Sequence, residues 1–274
     1  MAEIHHFSYG WWTPAISYVM AFVGSALGLR CTMRALSIEG PSRRNWLLTA
    51  AVVIGSGIWT MHFIAMLGFG VVGSPTTYDV PLTVLSLLVA IVVVGLGVFT
   101  VGYGRSKVRS LLLGGLGTGL GVAAMHYMGM AAVQVHGHLG YDLKLVGLSV
   151  AIAVAAATAA LGAAITIRNA IGAVIAALVM GLAVSTMHYT AMAAVRAHVL
   201  HEQTSLLGTR ATDFIFPLIV TLGSFLFLTA AFVALSPPGS DPRGHGPSDH
   251  ADDLDYLDDL DNLERSETPQ HAGA

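Results

Sequence analysis

Charge is scarce in this chain. Of its 274 residues 11% are charged and 54% hydrophobic, against the roughly 25% charged usual in water-soluble domains. That shortage excludes a soluble enzyme with a solvated surface. Cysteine is almost lacking too. Cys31 stands alone, which excludes an intramolecular disulfide and a cysteine-built zinc cluster. No basic cluster is interleaved with aromatics, so no nucleic-acid partner is expected. The first residues, Met1-Ala2-Glu3-Ile4-His5-His6, have neither a basic segment nor a small-residue cleavage site. A removable signal peptide is therefore not expected, and the first apolar run should act as its own anchor. The apolar runs hold no Ser/His/Asp or paired-carboxylate arrangement, and no nucleotide-binding or kinase motif follows them. The expectation is a protein without catalytic activity of its own.

Long apolar runs are abundant. A helix needs about 20 apolar residues to cross a bilayer, and seven stretches supply them: 12–33, 45–68, 80–103, 110–133, 145–167, 170–194 and 214–235. The fold class read from this is an all-α membrane protein of seven transmembrane helices, embedded in the lipid bilayer of a cell inner or plasma membrane. Arg30, Arg34, Arg43, Arg44, Arg105, Lys107, Arg109, Arg168, Arg243 and Arg265 fall in one set of alternate connections, while Lys144, Arg196 and Arg210 fall in the other. The positive-inside rule then predicts the N-terminus outside and the C-terminus cytoplasmic. Trp11, Trp12 and Trp46 lie at span ends, where indole rings favour the headgroup region. Residues 1–236 are read as the membrane domain. Residues 237–274 carry ten Asp/Glu against two Arg and are read as a disordered acidic cytoplasmic tail. Leu254, Leu257, Leu260 and Leu263 recur in that tail among the carboxylates, a pattern that a signalling partner could order.

A repeat runs through the membrane part. Met61-His62-Phe63-Ile64-Ala65-Met66, Met125-His126-Tyr127-Met128-Gly129-Met130 and Met187-His188-Tyr189-Thr190-Ala191-Met192 share one pattern at spacings of 64 and 62 residues. Small residues precede each copy: Gly55 and Gly57, Gly119 and Gly121, Gly181 and Ala183. They predict close helix packing. Tyr9 with Ser17, Tyr78 with Ser86 and Tyr141 with Ser149 echo one another eight residues apart. The chain is thus three two-helix repeats plus one helix. Asp79, Asp142 and Asp213 open spans and are expected as N-caps. Counting from the nearest inner Arg at 1.5 Å per residue places His62, His126 and His188 roughly 25–30 Å from the inner surface, near the outer face.

On a helix the motif His and the Met four residues later share a face, with the preceding Met about 100° away. The candidate metal ligands are therefore His62 and Met66, His126 and Met130, and His188 and Met192, together with Met61, Met125 and Met187. Imidazole and thioether form a soft to borderline set suited to copper. A polar ring in hydrocarbon usually faces the bundle interior. One such His is more often a packing residue than a ligand, but packing alone gives no reason for three copies at one depth. Two other functions fit the same residues: a copper carrier or insertion protein, and a b-type haem protein with axial His from neighbouring helices.

The thrice-repeated signature resembles that of the MHYT-domain family of bacterial integral membrane sensor proteins. Met187-His188-Tyr189-Thr190 matches it letter for letter, and the likeness covers about residues 5–235. The resemblance implies a seven-helix sensor domain that binds copper through the motif His and Met and senses oxygen, carbon monoxide or nitric oxide. In many such proteins the domain precedes a cyclic di-GMP synthase or phosphodiesterase or a histidine kinase. Here 39 residues follow Leu235, so the signal is expected to pass to a separate cytoplasmic or membrane partner.

Overall fold

The computed structural model describes residues 4–5, 8–199 and 208–235. The acidic tail and its leucines lie outside the described residues. The described residues form seven helices in order: α1 Trp12–Leu36, α2 Gly40–Leu67, α3 Val80–Tyr103, α4 Lys107–Ala131, α5 Leu143–Thr166, α6 Ala170–Ala193 and α7 Ile215–Leu235. All seven are long and apolar enough to cross a membrane, and the chain is a multi-pass integral membrane protein. Helices α2 and α4 begin a few residues earlier than the apolar runs suggest. Backbone hydrogen bonding carries a helix past the hydrocarbon edge, and Arg43, Arg44, Lys107 and Arg109 sit in those extra turns. At that end Arg34 lies over the Trp46 ring at 4.5 Å and Arg43 over Tyr103 at 5.1 Å, cation–π contacts typical of partly desolvated sites.

Among the described residues six strands, absent from the sequence reading, close the opposite end. They are β1 Ile4–His5, β2 Gly70–Val71, β3 Thr77–Tyr78, β4 Val133–Gln134, β5 Gly137–Tyr141 and β6 Val195–Val199. The pairs β1–β2, β3–β4 and β5–β6 are all antiparallel. Each repeat is consequently a strand, two helices and a strand, with its two strands paired. The closure is reinforced at equivalent positions, where Asp79 N donates to Ala132 O at 2.9 Å and Asp142 N to Ala194 O at 2.8 Å.

Neighbours run α1, α2, α3, α4, α5, α6 and back to α1, so the three repeats form a ring of six helices. The small residues set its tightest contacts. A Cβ on Gly55 would meet the Ile91 backbone of α3 at 2.7 Å, and one on Gly181 the Phe22 backbone of α1 at 3.1 Å. Gly119 stands in the same way against Val154 of α5. Each even helix thereby leans on the next repeat through one glycine, as expected for helices that associate by close packing in lipid. Helix α7 stands outside the ring. Its Leu226 and Val233 pack with Leu27, Cys31, Ala50 and Val53 of α1 and α2. Asp79 and Asp142 cap α3 and α5 by accepting from Leu82 N at 2.8 Å and Lys144 N at 3.0 Å. Asp213 does not cap α7, which starts at Ile215; its carboxylate accepts from the Thr212 hydroxyl instead.

Candidate metal centre

Each motif His stands five residues before the end of its helix, about 7 Å from the strand-bearing end. The three sit at one level and point inward. His62, His126 and His188 are each 1% exposed, and one ring nitrogen from each lies within 4.8 Å of the others. His62 Nδ1 is 3.1 Å from His126 Nδ1 and 3.1 Å from His188 Nδ1. The rings meet nearly at right angles, with centroids 4.8–5.1 Å apart.

That arrangement is short of protons. His62 Nδ1 has one proton or one lone pair to offer, yet it faces two neighbours. Meanwhile His62 Nε2 and His126 Nε2 are buried without a hydrogen-bond partner, which costs about 1–3 kcal/mol per group. Two imidazole nitrogens on one first-row metal ion, each about 2.0–2.1 Å from it, stand a little over 3 Å apart. The spacing and the donor set therefore fit a metal ion.

The third motif residue, the aromatic, packs on each imidazole. Phe63, Tyr127 and Tyr189 lie edge-on to His62, His126 and His188 at 4.7, 5.0 and 4.9 Å. Tyr127 OH bonds Ser149 Oγ at 2.7 Å, and Ser17 takes the equivalent place beside Tyr189. Phe63 has no hydroxyl, and there Trp59 Nε1 donates to Ser86 Oγ at 2.9 Å. The Tyr–Ser echo is thus the far half of a clamp whose near half is the motif aromatic. Tyr78 and Tyr141 close it from the strands, edge-on to Phe63 at 6.2 Å and Tyr127 at 5.8 Å. Burial pushes both of their phenols above the usual range, so they stay protonated at physiological pH.

The comparisons agree with this repeat. The MHYT family model, described as a bacterial signalling protein N-terminal repeat, matches residues 55–114 and 119–178. The chain belongs to the MHYT family. It is 39% identical over 192 residues to the bifunctional diguanylate cyclase/cyclic di-GMP phosphodiesterase MucR of Pseudomonas aeruginosa, covering 68% of this chain and 28% of MucR. It is 40% identical over 159 residues to the cyclic di-GMP phosphodiesterase NbdA of the same organism, covering 55% of this chain and 20% of NbdA. Over 204 residues it is 28% identical to the signaling protein YkoW of Bacillus subtilis, covering 70% of this chain and 25% of YkoW. The chain thus spans less than a third of the length of these relatives. No solved structure matches it.

Of the MHYT motif residues, the structure brings the three His into one cluster. Met61, Met66, Met125, Met130, Met187 and Met192 are all buried at 3% exposure or less, and all but Met61 belong to the main apolar core. Gly129 escaped the sequence reading. A Cβ there would lie 2.5 Å from His62 Nε2, so α4 comes close to that ring only because position 129 is glycine. The signal was present in the motif: the other two copies carry Ala65 and Ala191. His136 and His198 are equivalent by repeat, but it is His138 that His198 faces across β5–β6.

Proposed function

We propose that this chain is the sensor part of a membrane signalling system, with copper held by His62, His126 and His188 near the outer face and thioethers of the motif Met completing the set. The observation that carries the reading is the convergence of three buried imidazoles, one from each repeat, with His62 Nδ1 3.1 Å from Nδ1 of both His126 and His188. Copper bound there would supply an open-shell or soft centre for a diatomic gas such as oxygen, carbon monoxide or nitric oxide. A cavity of about 70 Å³ supports the gas reading. Its lining includes Ile58, Val122 and Val184, each one helical turn before a motif His. It is more than a water molecule's share of liquid, ~30 Å³, and apolar cavities of this kind stay dry.

The same observations disfavour the rivals. Axial haem ligands stand on opposite faces of a porphyrin, and nitrogens 3.1 Å apart leave no room for it between them. A copper carrier needs acceptors deeper in the bundle, where this cavity offers mainly Ala, Val, Ile and Leu, with Met180 and Met187 as its sulfur atoms. Signalling to a cytoplasmic or membrane partner follows the MHYT family's description as a signalling repeat. Metal analysis of the detergent-purified protein tests the reading. Wild type should retain copper and H126A or H188A should lose most of it. Unchanged copper in an H62A/H126A/H188A protein would overturn the site.

A further inference from the structure

The β5–β6 pair carries a second set of imidazoles that neither the motif nor the buried triad uses. His138 and His198 are directly opposite in the register, and both are exposed. Their rings are stacked at 5.1 Å between centroids and 21° between planes. Directly opposite residues in an antiparallel pair have Cβ atoms about 4.5–5.5 Å apart, which lets two imidazoles turn their nitrogens to one ion. Alternation along β6 explains the placement: Val195 and Ala197 are buried while Arg196 and His198 face out. Five paired positions fix the register, whereas β1–β2 and β3–β4 have two each. Among the described residues, only the third repeat's strand pair sets two histidines face to face.

Arg196 is the cation nearest in sequence on that face, and it is drawn the other way. Its Nη1 donates to Ala193 O at 3.1 Å and Val195 O at 3.2 Å, and its Nη2 lies 3.9 Å from the Asp142 carboxylate. Gly140, two residues from His138 on the same face, stands opposite Arg196, so on that side β5 adds no side chain of its own beside the pair. Strand β6 follows directly on α6, the helix of His188, and β5 leads into α5.

We propose that His138 and His198 form a surface site for a borderline divalent metal ion, bound by two imidazoles and water, at the strand-bearing end of the bundle. Two nitrogen donors suit Cu(II), Zn(II) or Ni(II) and do not suit Mg(II) or Ca(II), which prefer oxygen. The site is separate from the buried triad and stands whether or not the triad holds metal.

Cu(II) titration of the full chain in detergent, read by electron paramagnetic resonance, tests it beside H138Q/H198Q. Wild type should bind one more Cu(II) than the double variant, with nitrogen splitting from two imidazoles. H136Q should keep that ion. A copper equivalent kept by H138Q/H198Q belongs elsewhere, so the two sites succeed or fail separately. In wild type, Zn(II) should also shield His138 and His198 from diethyl pyrocarbonate, as mapped by mass spectrometry, a readout that needs no variant to fold. Equal Cu(II) binding by wild type and H138Q/H198Q, or unshielded histidines at saturating Zn(II), would overturn the proposal.

Discussion

His62 is the most demanding residue of the cluster, because its Nδ1 serves two neighbours while its Nε2 lies against the one motif position without a Cβ. Gly129→Ala should push that ring out of line with His126 and His188. The expected outcome is lower copper retention with about 1–3 kcal/mol lost to overpacking, measured by metal analysis and thermal unfolding in detergent. The aromatic clamp gives a contrasting pair. Tyr127→Phe copies the hydroxyl-free first repeat, deletes the bond to Ser149 and should cost only about 1 kcal/mol. Ser86→Ala leaves the buried Trp59 N–H without its acceptor and should cost about 1–3 kcal/mol. Equal losses from the two would contradict the asymmetry between Phe63 and its Tyr counterparts. Met130→Leu or Met192→Leu should weaken Cu(I) retention more than Cu(II), since thioether is the softer donor; no difference between the oxidation states would remove Met from the ligand set.

Between elements, the decisive contacts are backbone against backbone. Gly119 lies on Val154, so Gly119→Val should wedge α4 from α5 and carry His126 off its level. Gly117, whose added Cβ would meet nothing within 4 Å, is the control. Gly117→Ala should be neutral or stabilising by about 0.5–1 kcal/mol, because glycine is a poor helix former. Yield and melting temperature of the purified variants decide this, and a destabilised Gly117→Ala would refute the packing account. The helices themselves were legible, since length, hydropathy and the 64- and 62-residue spacings are properties of the chain. The paired strands were not: β1 to β4 have two residues each, too few for alternation to show. Asp213 misled for a related reason. A carboxylate before an apolar run predicts a cap, but here the nearby Thr212 hydroxyl donates to it.

For the molecule as a whole, pseudo-threefold arrangement and its one breach are both consequences of helix number. Three repeats close a ring, and the seventh helix stands outside it, with Leu226 and Val233 against α1 and α2. Helix α2 is accordingly the most buried of the seven, 83% over its most apolar stretch. By the positive-inside rule the strands are expected to face outside. Arg196→Cys should then react with a membrane-impermeant maleimide on intact cells, and Arg105→Cys only after permeabilisation. The native Cys31 is fully buried and should stay silent. The opposite pattern would invert the topology and place the metal centre at the inner face.

Sequence by itself determined the seven spans, the threefold repeat, the depth of the three motif His and their candidacy as ligands, because each depends on periodicity along one helix. It also marked the glycines as packing positions, since small residues at fixed offsets have few other uses in lipid. Tertiary structure alone decided that the Nδ1 atoms meet, that Gly129 admits His62, that Trp59 stands in for a missing hydroxyl, and that His198 faces His138 rather than its repeat counterpart His136. These are lateral relations. Which face of a helix meets which neighbour, and which residue of a strand opposes which, is set by packing between segments far apart in the chain, and no local period encodes it.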